Sequence, residues 1–171
     1  MRAIAGLTVA ALLAGCGSPV AHPLSPQDTK SQVIDSTRGI VRDLGLTSDD
    51  VLEATFTYQS CSDNNAGPFR GQVFLAFWVP GADRTRPADA RLVTAPLEQH
   101  GWAADPDFHT HSTALKKDAV GLTVETTSPP RGQAPNGHVM MYIRGQCRDT
   151  TDHSKDPFDP GDVRDEVLAG S

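Results

Sequence analysis

Apolar residues recur at helical spacing early in the chain, at Val33, Ile34, Thr37, Ile40, Val41 and Leu44, behind a start signal of Ser25, Pro26 and Asp28. Gly45 stops that run, so the pattern predicts an amphipathic helix. "VLEATFTYQS" then alternates, with Leu52, Ala54, Phe56 and Tyr58 on one side and Glu53, Thr55 and Thr57 on the other, which predicts a half-buried strand. In "GQVFLAFWVP" both alternating sets are apolar: Val73, Leu75, Phe77 and Val79 against Phe74, Ala76 and Trp78. A strand with two apolar faces belongs in the middle of a sheet. A second helix is expected over Ala88 to Gln99, ended by Gly101, with Pro96 placed to kink it or stop it early.

Three further strands are expected. The first starts at Trp102, or nearer Phe108, and ends at Leu115; the second is "AVGLTVETT"; the third is "HVMMYIRGQC". Lys116-Lys117-Asp118 makes the first two a hairpin, and the Pro- and Gly-rich "SPPRGQAPNG" precedes the last. The order predicts an α+β two-layer sandwich: an antiparallel-dominated sheet of about five strands with two helices on one face.

Outside that core the pattern changes character. Arg2, the apolar run Ala3 to Leu13 and the small Ala14-Gly15 form an export signal over residues 1–15. The run is short of the roughly 20 apolar residues that span a bilayer, and no later segment reaches that length. The order Leu13-Ala14-Gly15-Cys16 resembles the lipobox of bacterial lipoproteins. That resemblance implies that Cys16 becomes the mature N-terminus and carries a diacylglycerol anchor, against the plainer reading of a cleavage signal with an incidental cysteine. Two or more acyl chains, at about 0.8 kcal/mol per buried CH2, anchor stably where one is marginal. Residues 16–25 are then the lipidated cysteine and a flexible tether, 26–148 a single α+β domain, and 149–171 an acidic tail expected to be disordered.

Removing residues 1–15 leaves 156 residues at a formal charge of -7, which disfavours nucleic acid and anionic lipid headgroups as partners. With Cys16 assigned to lipid, Cys61 and Cys147 remain, and two cysteines in an exported chain usually pair. Closing that loop of 87 residues is worth roughly 4 to 5 kcal/mol in the chain-entropy view. The alternative of free or catalytic thiols lacks a C-x-x-C arrangement.

The lipobox, the N-terminal helix, a strand leading to one cysteine, a helix ending before Gly101 and a closing strand ending in "IRGQC" resemble the small LppA-type lipoproteins of mycobacteria and related actinobacteria. The resemblance implies an envelope lipoprotein without an established enzymatic activity; no cofactor is expected, and the expected location is the extracytoplasmic face of the cell membrane, through the lipid anchor. No catalytic residue carries over from it.

The residues themselves offer two sites. His109 and His111 in "FHTH" share one side of a strand, as a metal pair requires, with His100, Asp107 or His138 as a third ligand. The plainer reading is two solvent-facing polar residues. G-x-S-x-G, S-x-x-K, H-E-x-x-H and the P-loop are all missing from the sequence, so neither hydrolase nor nucleotide chemistry is indicated. The second site is an apolar excess. If helices cover Val73, Leu75 and Phe77, then Phe74 and Trp78 project to the other side of the sheet, where Met140 and Tyr142 can join them as a surface for an envelope protein or lipid. The alternative is that loops, or the segment before the first helix, cover it. The expected function is a lipid-anchored binding or adaptor domain, with a metal-binding envelope protein or enzyme using His109 and His111 as the second reading.

Overall fold

In a computed structural model, residues 22–107, 112–126, 137–157 and 160–169 are described. Cys16 and the export signal lie outside them, as do His109 and His111. The first helix, α1 (Pro26–Asp43), begins where the sequence places it. Ser25 Oγ accepts from the Asp28 amide at 3.1 Å, and Pro26 fills a position whose N–H would have no helical partner. Val33, Ile34, Ile40 and Val41 are buried along one stripe, each side chain contributing about 1.5 to 3 kcal/mol. Gly45, at φ +64°, takes the left-handed turn that ends the helix.

Strands β1 (Val51–Ser60) and β2 (Phe69–Trp78) form an antiparallel pair. The helix α2 (Arg91–Gln99) follows, then β3 (Ala103–Ala104), β4 (Thr113–Lys117), β5 (Val120–Thr126) and β6 (His138–Arg144). The described chain closes with β7 (Gly161–Asp162) and α3 (Arg164–Leu168). Every strand pairing is antiparallel, in the order β3-β4-β5-β6-β2-β1-β7. The fold class is therefore α+β as expected, but with seven strands and three helices among the described residues instead of about five and two. Two of the added elements are the two-residue strands β3 and β7, too short to leave a periodic signature.

One face of the sheet carries the core. Val73, Leu75 and Phe77 of β2, Val139, Met141 and Ile143 of β6, and Leu122 and Val124 of β5 are all buried there, against α1, α2 and α3. The approach of α1 to the sheet depends on Gly71. A methyl group at that position would stand 2.7 Å from the Thr29 carbonyl oxygen and 3.0 Å from Val33 Cγ2.

Three expectations need correction. Leu52 does not share a face with Ala54 and Phe56. A bulge between Val51 and Glu53 turns Val51 inward and leaves Leu52 49% exposed. Pro96 neither stops nor shortens the second helix, which runs on to Gln99; the N–H that proline lacks would have bonded the carbonyl of Leu92, a residue open to solvent. The expected disordered tail is, in its described residues, part of the fold. β7 pairs with β1, Val163 and Val167 are buried at 3% and 1% exposure, and Lys30 meets Glu166 at 2.8 Å. Two valines four residues apart bury one short helix in a stretch whose composition is otherwise polar.

Candidate functional site

The face of the sheet opposite the helices is built by cross-strand pairing. Phe74 lies between Thr55 and Tyr142, and Tyr142 pairs on to Thr123. One row along, Gln72 lies between Thr57 and Arg144; on the other side, Ala76 pairs with Met140 and Trp78 with His138. The structure therefore gathers Phe74, Trp78, Met140 and Tyr142 on one face, with the Phe74 and Tyr142 rings 5.3 Å apart. Among the described residues no helix packs on it.

The four are not equally available. Phe74, Met140 and Tyr142 are half-buried. Trp78 is only 7% exposed, because the Arg84 guanidinium lies over its ring at 5.3 Å and the His138 ring meets it edge-on at 6.0 Å. Arg84 is itself held by Asp50, whose Oδ1 accepts from it at 3.2 Å. The expectation that Trp78 stands open on this surface is thus corrected: it anchors the 79–90 loop instead.

Beside the aromatic pair lies a feature that the alternation pattern does not reveal. Arg70 and Arg144 are diagonal neighbours on this face, both half-buried. Arg70 Nε donates to Gln59 Oε1 and Arg144 Nε to Gln72 Oε1, each at 2.9 Å. The Arg144 fork also reaches Thr123 Oγ1 at 3.2 Å and lies 5.1 Å over the Tyr142 ring. Burial lowers the pKa of both guanidinium groups, and the charge of Arg70 lowers that of Arg144 further, opposed by Tyr142 and Glu125. Arg70, Arg144, Thr123 and Asp105 line a hollow of about 180 Å³. A larger one of about 480 Å³, floored by Phe74 and Tyr142, lies across the Gln59 and Gln72 side chains. In the sequence these residues are legible only as polar members of alternating strands.

A third hollow, of about 460 Å³, opens where the C-terminal segment crosses β1. The His153 ring stacks on Tyr58 at 3.8 Å, Nε2 lies 3.1 Å from Asp149 Oδ2, and Nδ1 lies 2.6 Å from Asp156 Oδ2. Burial, and then the two carboxylates, push the Tyr58 phenol above its usual 10. With both ring nitrogens turned to carboxylates, His153 has none left to activate a nucleophile. Its geometry is that of a pin holding the C-terminal segment. The spacing D-x-x-x-H-x-x-D was the available signal, hidden by reading the segment as solvated charge.

Cys61 and Cys147 are joined, with sulfurs 2.00 Å apart, and tie the loop after β1 to the chain leaving β6. His109 and His111 lie outside the described residues. Of the third-ligand candidates, His100 Nδ1 is 2.9 Å from the Pro96 oxygen, Asp107 accepts from Lys116 at 3.4 Å, and His138 stands against Trp78. Among the described residues no group of three or more His, Cys, Asp or Glu is arranged to hold a metal ion, and no helix is long and apolar enough to cross a membrane.

Comparison with known proteins places this architecture. The family described as "Putative lipoprotein LppJ" matches residues 25–166, from the cap of α1 into α3. Proteins of that description from Mycobacterium bovis and Mycobacterium tuberculosis are 28% and 27% identical over 172 aligned positions, covering 91% of this chain and 86% of theirs. No solved structure matches. The match includes the C-terminal segment that the fold absorbs, and it agrees with the resemblance to small mycobacterial lipoproteins. The chain belongs to the LppJ family of lipoproteins.

Proposed function

We propose that this protein is a non-enzymatic, lipid-anchored envelope domain, held at the extracytoplasmic face of the cell membrane through Cys16, that binds an envelope component on the helix-free face of its sheet. The carrying observation is the asymmetry of that sheet. Among the described residues three helices cover one face, while the other keeps Phe74, Met140 and Tyr142 half-exposed beside two arginines. A half-exposed aromatic pair framed by polar groups is the composition of a recognition surface.

The anchor and the surface are tested together in a mycobacterial host. Alkyne-palmitate should label the wild-type protein and not Cys16→Ser, and the wild type should fractionate with membranes; equal labelling of the two would remove the anchor. A photo-crosslinking residue in place of Phe74 should give a discrete adduct that is missing when it replaces Leu92, which is 49% exposed on α2. Indistinguishable adduct patterns at the two positions would remove the binding face.

A further inference from the structure

We propose that the outer edge of β1, at Tyr58 and Ser60, takes an extended segment of a partner protein as an added antiparallel strand, with basic and apolar side chains alternating along that segment. The inference deepens the binding role given above by naming the bound component as peptide, and it rests on that reading for the half of the site that lies on the helix-free face.

The edge follows from the alternation of an antiparallel ladder, in which successive residues turn their N–H and C=O groups to opposite neighbours. The Cys61 amide donates to the Pro68 oxygen, so Cys61, Gln59 and Thr57 turn theirs toward the β2 side. On the outer side the Val163 amide donates to the Ala54 oxygen, so Ala54, Phe56, Tyr58 and Ser60 turn theirs outward. The C-terminal strand covers the first two of these four, and its register with β1 ends at Phe56 and Gly161. Among the described residues no main-chain partner meets the outward groups of Tyr58 and Ser60. Two N–H and two C=O groups in line are a template for one more strand.

That edge runs between two hollows. Side chains of an added strand point alternately to the two faces of the sheet, and each face offers a recess beside the edge. The recess of about 460 Å³ lies on the helix side, where Tyr58 Oη donates to the Pro26 oxygen of α1 at 3.0 Å. The recess of about 480 Å³ lies on the helix-free side, and Thr57 and Tyr58 border both. Main-chain pairing would supply affinity, and the two recesses selectivity.

Charge fixes the chemistry of the occupant. The C-terminal segment that walls the helix-side recess carries, from Asp149 to Asp162, five aspartates against Lys155, a formal charge of -4. Asp156 borders the recess with its side chain 52% exposed, and among the described residues no lysine or arginine borders it. A basic side chain pointing there meets a field of opposite sign. On the helix-free side the floor is Phe74 and Tyr142, and Arg70 stands beside it with Nε on Gln59. An apolar side chain suits that recess, and a second cation beside Arg70 is disfavoured. Residues directly opposite Tyr58 and Ser60 share their face, so the basic residues of the added strand are the ones whose main chain bonds the edge.

The test uses the full-length protein in detergent micelles and the probe peptide Ac-Thr-Lys-Val-Lys-Val-Lys-Thr-NH2, with binding followed by fluorescence anisotropy and by amide hydrogen exchange in NMR. In the free protein the Tyr58 and Ser60 amides should exchange fast while Thr57 and Gln59 are protected by β2. Saturating peptide should slow Tyr58 and Ser60 at least tenfold. Replacing the lysines of the peptide by glutamates should weaken binding at least tenfold. N-methylation of the lysine amides should abolish binding, whereas N-methylation of the valine amides should leave it nearly unchanged. These controls lie in the peptide, so none depends on a protein variant that must fold. Absence of peptide-induced protection, equal binding of the glutamate peptide, or indifference to which amides are methylated would overturn the proposal. Protection of Tyr58 and Ser60 in the peptide-free protein would overturn it too, and would assign the edge to a second copy if protection grew with protein concentration, or to the chain itself if it did not. Peptide-induced protection without a discrete adduct at Phe74 would keep the edge and discard the wider binding face. The adduct without the protection would do the reverse.

Discussion

Asp50 shows how much one side chain can organise without any pattern announcing it. Its carboxylate accepts from the Thr47 amide at 3.0 Å and hydroxyl at 2.7 Å, and from Arg84 at 3.2 Å, while its own carbonyl oxygen receives the Trp78 amide. The Thr47 hydroxyl chiefly, helped by the Thr47 amide and Arg84 and opposed by burial, holds its carboxyl below the usual 3.8. A carboxylate with a lowered folded pKa adds stability that is present above its unfolded value and lost as pH falls through the folded one. Asp50→Asn should therefore lower the unfolding free energy at pH 7, measured by urea titration, by about 1 kcal/mol if one hydrogen bond's net worth is lost. The gap from wild type should narrow once pH drops below 3.8. A gap that stays constant between pH 7 and pH 3 would show that the carboxylate's charge does not matter there. At this scale the candidate face was partly legible: alternation alone puts Phe74, Trp78, Met140 and Tyr142 on one side. That Trp78 is closed by Arg84, and that Arg70 and Arg144 come together, depends on partners 6 and 74 positions away in the chain, which no local pattern records.

Among the elements, α1, β2 and the hairpin of β4 and β5 were readable because each buries enough side chains to impose its period over several turns or pleats. β3, β7 and α3 were not. They hold two, two and five residues, and their stability comes from docking on longer elements. α3 is held by Val163 and Val167 in the core, by Lys30 and Glu166 at 2.8 Å, and by Arg38 Nε donating to the Glu166 oxygen at 2.7 Å. Val167→Asp should consequently destabilise the whole domain by several kcal/mol, because a carboxylate would stand unpaired where the valine is 1% exposed. Arg164→Ala, which loses bonds to the Ser48 and Val51 oxygens at the surface, should cost much less. Denaturant melts of the two variants check this; a Val167→Asp protein as stable as wild type would return the segment to the status of a tail.

For the molecule as a whole, the disulfide ties together the C-terminal ends of β1 and β6, the two strands that flank β2, at one end of the sheet, since Cys61 follows β1 and Cys147 follows β6. The sequence separation of 86 makes its removal costly through the unfolded chain, by about 4 to 5 kcal/mol before any relaxation of the native state. Cys61→Ser/Cys147→Ser should melt well below the oxidised protein, and adding reductant to the wild type should lower its melting temperature to match. A reductant-insensitive melting temperature would show that the sheet and helices alone carry the fold. By itself the sequence determined the elements with a strong period, the fold class and the pairing of two cysteines, because these follow from local spacing and from counting. Tertiary structure decided the rest: the seven-stranded order, the capture of the C-terminal segment, the closing of Trp78 and the meeting of two arginines. Each of those is a contact between segments distant along the chain, favoured only once a longer element has formed the surface that receives it.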